Sequence, residues 1–246
     1  MYNSKVSSNL LYHFTRNINV LISILKKGFW PMTAIEDISF MRPNYKEARV
    51  GIPMVCFTDI PIGLADEHRK EYGLFGLGMK KEWGIKKGLN PISYMIKGSE
   101  IYNAYNHLQW VAVQNALKLD DGNIEEPNTF ELADAFMNYA GFLKEYSHDM
   151  TLNSKPFYDE REWRYLPPFR DAGVKIDGYC NRLMPEIVDN EKEKEKLNNH
   201  MIQRYTLKFT LDDLETIIVP NPESASLLCY ELKDNLGLYK NKILIQ

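Results

Sequence analysis

Cysteine and histidine are scarce in this sequence, and neither forms a metal-binding pattern. The three cysteines, Cys56, Cys180 and Cys229, are far apart in the chain, and no two of them form a CxxC pair. An odd number of widely spaced thiols argues against a disulfide framework and against a zinc site built from cysteine pairs. The five histidines are equally scattered and have no HExxH spacing. We therefore expect no structural metal ion.

Long apolar runs are also missing. Runs such as TIIVP are far shorter than the stretch of roughly 20 residues that a membrane-spanning helix needs. The first residues, MYNSKVSSNLLYHF, contain one lysine and no extended apolar segment, unlike a secretory signal. We therefore expect a cytoplasmic protein that makes no membrane contact.

Several motifs that bind nucleotides or carry nucleophiles are absent. The sequence has no GxxxxGK(S/T) loop, no GxSxG elbow and no protein-kinase signature. The glycines of YGLFGLG do not have the GxGxxG spacing of a dinucleotide-binding turn. These absences argue against P-loop NTPases, kinases and Rossmann-type dehydrogenases.

Charge is present but unevenly distributed, although the net charge of −3 predicts no general affinity for nucleic acid. Residues 68–97 contain seven Lys or Arg against two Glu, whereas residues 119–134 contain six Asp or Glu and no cation. The basic stretch is a candidate surface for phosphates or for a partner protein. A solvated surface is the alternative and the more common role of charge runs. The candidate contact residues are Lys80, Lys81, Trp83, Lys86 and Lys87.

The order of the predicted elements indicates an α+β fold. A helix is predicted between Asn17 and Gly28 from its apolar spacing and its capping residues. Strands are predicted at 10–13, 50–61, 72–83 and 161–167, and in RYTLKFT, LETIIVP and KILIQ. Helices are predicted at 99–118, at 128–147 and in SASLLCYELKDN, and NEKEKEKLNN is predicted to be an exposed helix or loop. We therefore expect a single α+β domain over residues 1–246, with a mostly antiparallel, split sheet and a helical insertion at 99–150.

The segment LYHFT, residues 11–15, is the first candidate for a functional site. His13 and Thr15 are two residues apart, so on a strand their side chains point to the same side. The helix that starts directly afterwards brings free backbone N–H groups, which suit an anion. A satisfied polar residue near the core is the alternative role of His13.

The segment FYDEREWRYLP, residues 157–167, is the second candidate. Glu160 and Glu162 are predicted to share one face of a strand, with Arg164 in line with them and Arg161 opposite. Two neighbouring carboxylates repel each other unless a cation or a ligand lies between them. The arginine is a candidate for that cation, so an exposed strand with a Glu–Arg ladder remains an alternative to a catalytic site.

The order of these segments resembles the AbiGi family of abortive phage-infection proteins. The resemblance runs through LYHFT, ILKKGFWP, VCFTDIP, YGLFGLGMKKEW, DEREWR and IIVP and covers most of the chain. A more distant resemblance links the YHFT strand, the helix that ends in glycine and the late ExE strand to the ADP-ribosyltransferase fold, including DarT-type enzymes.

The transferase resemblance implies roles for particular residues. It implies that NAD is the substrate, with His13 at the ribose on the nicotinamide side and Thr15 beside it. Phe57 and Thr58 would lie near the nicotinamide. Glu162 would hold the ribose 2′-OH and stabilise an oxocarbenium-like transition state, and Glu160 would orient the acceptor, without a metal. The sequence departs from the pattern because it lacks a clear Ser-Thr-Ser strand and a tyrosine-rich loop after VCFTDIP. The mapping also requires that His13 and Glu162 face the same cleft, and it fails if their side chains lie on opposite faces of the sheet.

Three functions follow as hypotheses. The first is an NAD-dependent ADP-ribosyltransferase of a phage-defence system, acting on a nucleic acid or a protein. The second is a non-catalytic, antitoxin-like component that binds a cognate toxin, with stretches 68–97 and 119–134 as interaction surfaces. The third is a nucleic-acid-binding module with strongly salt-dependent binding.

Overall fold

The first helix forms where the sequence predicts it, and its caps explain its limits. In the computed structural model, which describes residues 7–41, 48–120, 128–147, 156–168, 181–185, 187–232 and 239–246, the helix is Ile18–Lys27 (α1). The Asn17 side chain accepts a hydrogen bond from the N–H of Asn19, and Gly28 ends the helix with a φ of 95°. Leu21 and Leu25 are buried on the inner face of α1.

The described residues form ten strands and seven helices. The strands are β1 Leu10–Thr15, β2 Met32–Asp37, β3 Arg49–Thr58, β4 Phe75–Lys80, β5 Asn90–Pro91, β6 Ser93–Met95, β7 Leu143–Glu145, β8 Glu162–Tyr165, β9 Leu214–Val219 and β10 Ile243–Ile245. The helices after α1 are α2 Asp66–Tyr72, α3 Lys81–Lys86, α4 Glu100–Asp120, α5 Asn128–Ala140, α6 Glu191–Arg204 and α7 Pro222–Glu231.

The main sheet is mostly antiparallel, which confirms the α+β prediction at the level of fold class. Its strand order is β10-β9-β4-β1-β3-β8-β5, and β2 pairs with β3 off this path. Only β9 and β10 pair in parallel within this sheet, as far as the described strands go. A second sheet consists of β6 and β7, which are parallel. The strand β1 pairs with β4 along its whole length, whereas its pairing with β3 is at Tyr12 and Thr58.

The two faces of the main sheet are covered by different elements. On one face, α1, α3 and α7 pack on Phe57, Leu77 and Ile217. On the other face, residues of α4, β6 and β7 pack on Val50 and other inward residues of β3. This second face continues toward the end of β3, where the cavity described below lies.

Three element predictions are wrong. The stretch 72–83 is a strand only from Phe75 to Lys80, and α3 begins at Lys81. The predicted helix 128–147 ends at Ala140, because Gly141 packs against Leu166 and the following residues pair with β6 as β7.

The segment RYTLKFT is the third error, because it makes a single β-bridge, between Leu207 and Phe29, and not a strand. Within this segment, the carbonyl oxygen of Lys208 accepts a hydrogen bond from the indole N–H of Trp83. The strand β2 was not predicted at all. The helical insertion at 99–150 stays a prediction; it corresponds to α4 and α5, and residues 121–127 and 148–150 lie outside the described part of the chain.

Candidate functional site

A cavity of about 260 Å³ lies where β1, β3 and β8 meet. Its lining combines aromatic and aliphatic side chains with a dense group of ionisable ones. The lining residues are Tyr12, His13, Phe14, Ala34, Glu36, Met54, Cys56, Phe57, Thr58, His68, Tyr72, Lys144, Glu160, Glu162 and Arg164. The cavity therefore joins both segments that the sequence singled out.

The strand pairing decides which side chains share a face. Thr58 of β3 lies opposite Glu162 of β8, and Cys56 lies opposite Arg164. Directly opposite residues of antiparallel strands point to the same side, so these four side chains share one face of the sheet. Tyr12 joins them because it pairs with Thr58.

Glu160 reaches the cavity from a turn and not from the strand that the sequence predicts. Residues Phe157–Glu160 form a short 3-10 helix, and Arg161 follows it with a φ of 44°. This left-handed residue breaks the extended chain, so β8 begins only at Glu162. Both carboxylates are 8% exposed, which excludes the exposed Glu–Arg ladder as an account of this segment.

Two cations and one phenol bind the carboxylates of the cavity. The guanidinium of Arg164 donates to Glu162 over 2.5 and 3.1 Å and to Glu36 over 3.0 Å. The ammonium of Lys144 lies 2.7 Å from Glu160 and 3.3 Å from Glu162. The hydroxyl of Tyr72 donates to the other oxygen of Glu160 over 2.9 Å. The cation expected between the two glutamates is therefore Lys144, and Arg164 holds Glu162 from the side.

The ion pairs keep these groups charged despite their burial. Burial would raise the pKa of Glu162, but Arg164 and then Lys144 outweigh it and lower the pKa to about 2. Burial would lower the pKa of Arg164 and of Lys144, yet Glu162 keeps both above their ordinary values. Burial and the nearby Glu160 raise the pKa of Tyr72, which stays a hydrogen-bond donor. A fixed, ionised carboxylate in a largely apolar cavity can stabilise positive charge on a bound group.

His13 lines the same cavity, but its side chain points to the face of the sheet opposite that of Glu162. It pairs with Leu77 of β4, one position after Tyr12 and Thr58, so it alternates to the face that carries Phe57. Its ring lies 5.6 Å from the ring of Phe57. Its Nδ1 lies 2.8 Å from the carbonyl oxygen of Cys56, so Nδ1 carries the proton. Burial lowers the pKa of His13, so the imidazole is neutral. His13 and Glu162 both line this cavity, but their side chains leave the sheet on opposite faces, so the predicted place of His13 beside Glu162 at one ribose is corrected.

The other residues of the NAD mapping take different positions. Thr15 is not among the described residues that line the cavity; its Oγ1 accepts a hydrogen bond from the N–H of Asn17 at the start of α1. Phe57 lines the cavity and packs on Phe29 in the aromatic core. Thr58 is buried and donates to the backbone carbonyl of Glu160 over 2.7 Å, so it holds the turn that presents this carboxylate.

The basic stretch is only partly available as a contact surface. Lys80, Lys86 and Lys87 are exposed. Lys81 forms an ion pair with Asp59 over 2.8 Å. Trp83 is 3% exposed, so its prediction as a contact residue is corrected: the ring belongs to the core and cannot stack on a base or a partner. Most of the acidic stretch 119–134 lies outside the described residues or side chains.

Sequence reasoning missed Glu36, Lys144, Tyr72 and His68. Glu36 lies on β2, which had no clear strand pattern, and Lys144 lies on β7, inside the predicted helix. Tyr72 and His68 lie on α2, with their rings tilted at 35° and their centroids 4.4 Å apart. The one signal in the sequence was the closeness of two glutamates, whose repulsion requires a nearby cation. This signal does not indicate which residue supplies the cation.

Within the described residues, no cluster of His, Cys, Asp and Glu could hold a metal ion. No helix in the described part of the chain is both long enough and apolar enough to cross a membrane.

The chain is similar to proteins of phage resistance. A family model described as "Putative abortive phage resistance protein AbiGi, antitoxin" matches residues 27–220. The abortive phage resistance protein AbiGi of Lactococcus lactis subsp. cremoris is 29% identical over 158 residues, which cover 58% of this chain and 63% of that protein. The chain thus spans less than two thirds of the length of this relative. No solved structure matches the chain. Because the family model covers well over half of its residues, this chain belongs to the AbiGi family of abortive phage resistance proteins.

Proposed function

We propose that this AbiGi protein acts in phage defence as an NAD-dependent ADP-ribosyltransferase that works in the cytoplasm. The observation that carries the proposal is the convergence of Glu160, Glu162, Phe57 and Thr58 on one cavity. These residues come from segments about a hundred positions apart, and the resemblance to transferases assigns a role to each of them. Both carboxylates are held in place beside the cavity by the ion pairs with Lys144 and Arg164, which offset the cost of burying their charge.

The cavity fits the nicotinamide–ribose half of NAD better than the whole dinucleotide. Its volume of about 260 Å³ is below the roughly 300–1,000 Å³ of typical pockets for drug-sized ligands. Three carboxylates face two cations, which leaves a net negative charge that suits the positively charged nicotinamide ring. Tyr12, Phe14 and Tyr72 supply aromatic walls. When bound, NAD supplies a ribosyl carbon attached to a good leaving group.

The residues of the cavity have distinct roles in this proposal. Glu162 is held rigidly by Arg164, and its ionised carboxylate stabilises the positive charge that develops on the ribose. Glu160 lies between Tyr72 and Lys144 and orients the acceptor. Thr58 is a positioning residue, because it bonds the carbonyl group of Glu160. His13 contributes through the backbone of β3, by its bond to Cys56, and it forms one wall of the cavity.

Release of nicotinamide from NAD tests this function. The purified protein is incubated with NAD and with DNA, RNA and protein acceptors, and free nicotinamide is measured. We expect release by the wild-type protein and a loss of roughly a hundredfold or more in Glu162→Gln, since one electrostatic contact to a transition state is worth that much. Glu215→Gln, an exposed strand glutamate, is the control and keeps the wild-type rate. No release by the wild-type protein with any acceptor would overturn the proposal.

A second candidate function is that of an antitoxin-like component that binds a toxin. It is favoured by the family description and by apolar side chains on the outer side of α4, where Ile101 is 59%, Leu108 is 54% and Trp110 is 61% exposed. Exposed apolar groups of this size are common in protein interfaces. Co-purification with the toxin encoded beside this gene, lost in Trp110→Asp and kept in Lys97→Asp, is the expected result. Co-purification that Trp110→Asp leaves intact would exclude this surface.

A further inference from the structure

Tyr72 lies at the opening of the cavity between β1, β3 and β8. It is the most exposed of the residues that line this cavity, at 39%, whereas Phe14, Glu160 and Glu162 are each 8% exposed. A side chain that lines a cavity and is also exposed to solvent lies at the mouth of that cavity. Tyr72 therefore stands between the solvent and the buried carboxylates.

A hydrogen bond ties Tyr72 to the opposite wall of the mouth. Its hydroxyl group donates to Oε1 of Glu160 over 2.9 Å, and this bond joins α2 to the 3-10 helix that precedes β8. The other oxygen of Glu160, Oε2, is bound by Lys144 over 2.7 Å. Because its acceptor is a carboxylate, the bond from Tyr72 is stronger than one between two neutral groups.

The helix that carries Tyr72 is itself held at two points. The guanidinium of Arg69, which is 5% exposed, donates to the carbonyl oxygen of Gln246 over 2.8 Å. Gly73 follows α2 with a φ of 131°, and a Cβ atom at this position would lie 2.1 Å from the carbonyl carbon of Thr15. The Tyr72 side chain can change its rotamer on the solvent side without a movement of this backbone. Opening of the mouth therefore requires the rotation of one side chain and the loss of one hydrogen bond.

We propose that Tyr72 is the gate of the cavity and that the ligand enters when the hydroxyl group leaves Glu160. This inference rests on the proposed NAD-dependent transfer and specifies how the nicotinamide end of NAD reaches the site. While the hydrogen bond is made, the ring covers the mouth. When it is broken, the ring turns toward solvent and Oε1 of Glu160 becomes available to the bound groups. The apparent affinity for NAD is then reduced in proportion to the open fraction.

The thiol of Cys56 can report the open fraction, because it lines the same cavity. The rate at which iodoacetamide alkylates Cys56 is measured by mass spectrometry at one alkaline pH, because burial raises the pKa of this thiol. We expect Tyr72→Phe, which keeps the ring and removes the hydroxyl group, to raise this rate roughly tenfold, the low end for a hydrogen bond to a charged group. Cys229 on α7 is the internal reference, and its unchanged rate shows that the fold is intact.

Two further variants make the alkylation experiment decisive. Tyr158→Phe removes a hydroxyl group two positions before Glu160, from a side chain that is 53% exposed and is not among the described residues that line the cavity. This matched control is expected to keep the wild-type rate at Cys56. Tyr72→Ala also removes the ring and is expected to raise the rate at least as much as Tyr72→Phe. A wild-type rate in Tyr72→Phe would overturn the inference, whatever the rate in Tyr72→Ala.

Protection by NAD separates the gate from the function on which it rests. NAD in the cavity is expected to slow the alkylation of Cys56, with half-protection at a roughly tenfold lower NAD concentration in Tyr72→Phe than in the wild-type protein. Half-protection of both proteins at the same concentration would overturn the inference and leave the NAD site standing. If NAD protects neither protein while Tyr72→Phe still raises the alkylation rate, the gate stands and the NAD-dependent function fails.

Discussion

Lys144 is the residue on which the charge balance of the cavity depends, because its ammonium lies between two buried carboxylates. Replacing it with methionine keeps much of the side-chain volume but leaves Glu160 and Glu162 facing each other. We expect Lys144→Met to lower the free energy of unfolding by about 2 kcal/mol near neutral pH, less than for a fully buried pair because 18% of the side chain is exposed. The measurement is denaturant unfolding monitored by tryptophan fluorescence.

The pH dependence of this loss distinguishes repulsion from lost packing. Without the ammonium, the pKa of at least one carboxyl group rises in the folded state, so protonation relieves the repulsion as the pH falls. The loss in Lys144→Met is therefore expected to shrink under mildly acidic conditions. Lys70→Met removes an exposed ion pair with Glu67 and should cause no measurable change. A loss that is the same at every pH would contradict the charge-balance account.

The stability contributed by Glu162 is expected to depend on pH, because its pKa is lowered from 4.5 to about 2 in the folded protein. A lowered folded-state pKa adds stability above the unfolded value of about 4.5, and this stability is lost as the pH falls toward about 2. The shift corresponds to about 3 kcal/mol. We expect Glu162→Gln to be less stable by about this amount near neutral pH and the difference to disappear across that window. Unfolding curves at a series of pH values check this, and a constant difference would contradict it.

At the residue scale, the sequence predicted the carboxylates and one partner, Arg164, but not the partners Lys144, Tyr72 and Glu36. The spacing of Glu160, Glu162 and Arg164 is visible in one short segment, and so is their need for a cation. The ion pairs with Lys144 and Glu36 join residues 16 to 128 positions apart, and no local pattern marks them. The sequence also indicated His13 as a candidate site residue. The face of the sheet to which its side chain points depends on the pairing of β1 with β3.

The element that shapes the site is the short 3-10 helix followed by the left-handed Arg161. A residue with a side chain costs roughly 1–2 kcal/mol in this conformation, and glycine avoids that cost. We expect Arg161→Gly to raise the free energy of unfolding by up to about 1 kcal/mol, and Arg161→Val to lower it, because β-branched residues adopt this conformation poorly. Midpoints of urea unfolding check both. A lower stability of Arg161→Gly than of the wild-type protein would contradict this account of the turn at Arg161.

At the element scale, periodic segments were predicted well and pairing-dependent ones poorly. The helix α1 is visible because its apolar spacing and its caps agree, and the strand β3 is visible as a continuous apolar run. The strand β7 exists because it pairs with β6, and RYTLKFT fails as a strand although its residues alternate. Both outcomes depend on pairing with segments that are far away in the sequence. Local strand propensity carries no information about this pairing.

At the scale of the whole molecule, the order of elements was enough to predict the fold class. The function depends on which of three surfaces binds the substrate or partner. The inner surface is the charged cavity between β1, β3 and β8. The outer surface includes Trp110 on α4, and the exposed Lys80, Lys86 and Lys87 form a third candidate. Binding of DNA or RNA through these lysines should fall steeply with salt concentration. Binding that is absent or insensitive to salt would remove the nucleic-acid-binding function.

The most direct test of the central claim is phage survival on bacteria that carry this gene together with its neighbouring genes. Plaques are counted for the wild-type protein, for Glu162→Gln and for Trp110→Asp, with protein levels matched by immunoblotting. The account predicts that Glu162→Gln abolishes protection while Trp110→Asp retains it, because the chemistry of the cavity carries the defence. Full protection by Glu162→Gln, with loss of protection in Trp110→Asp, would contradict it and would establish the partner surface instead.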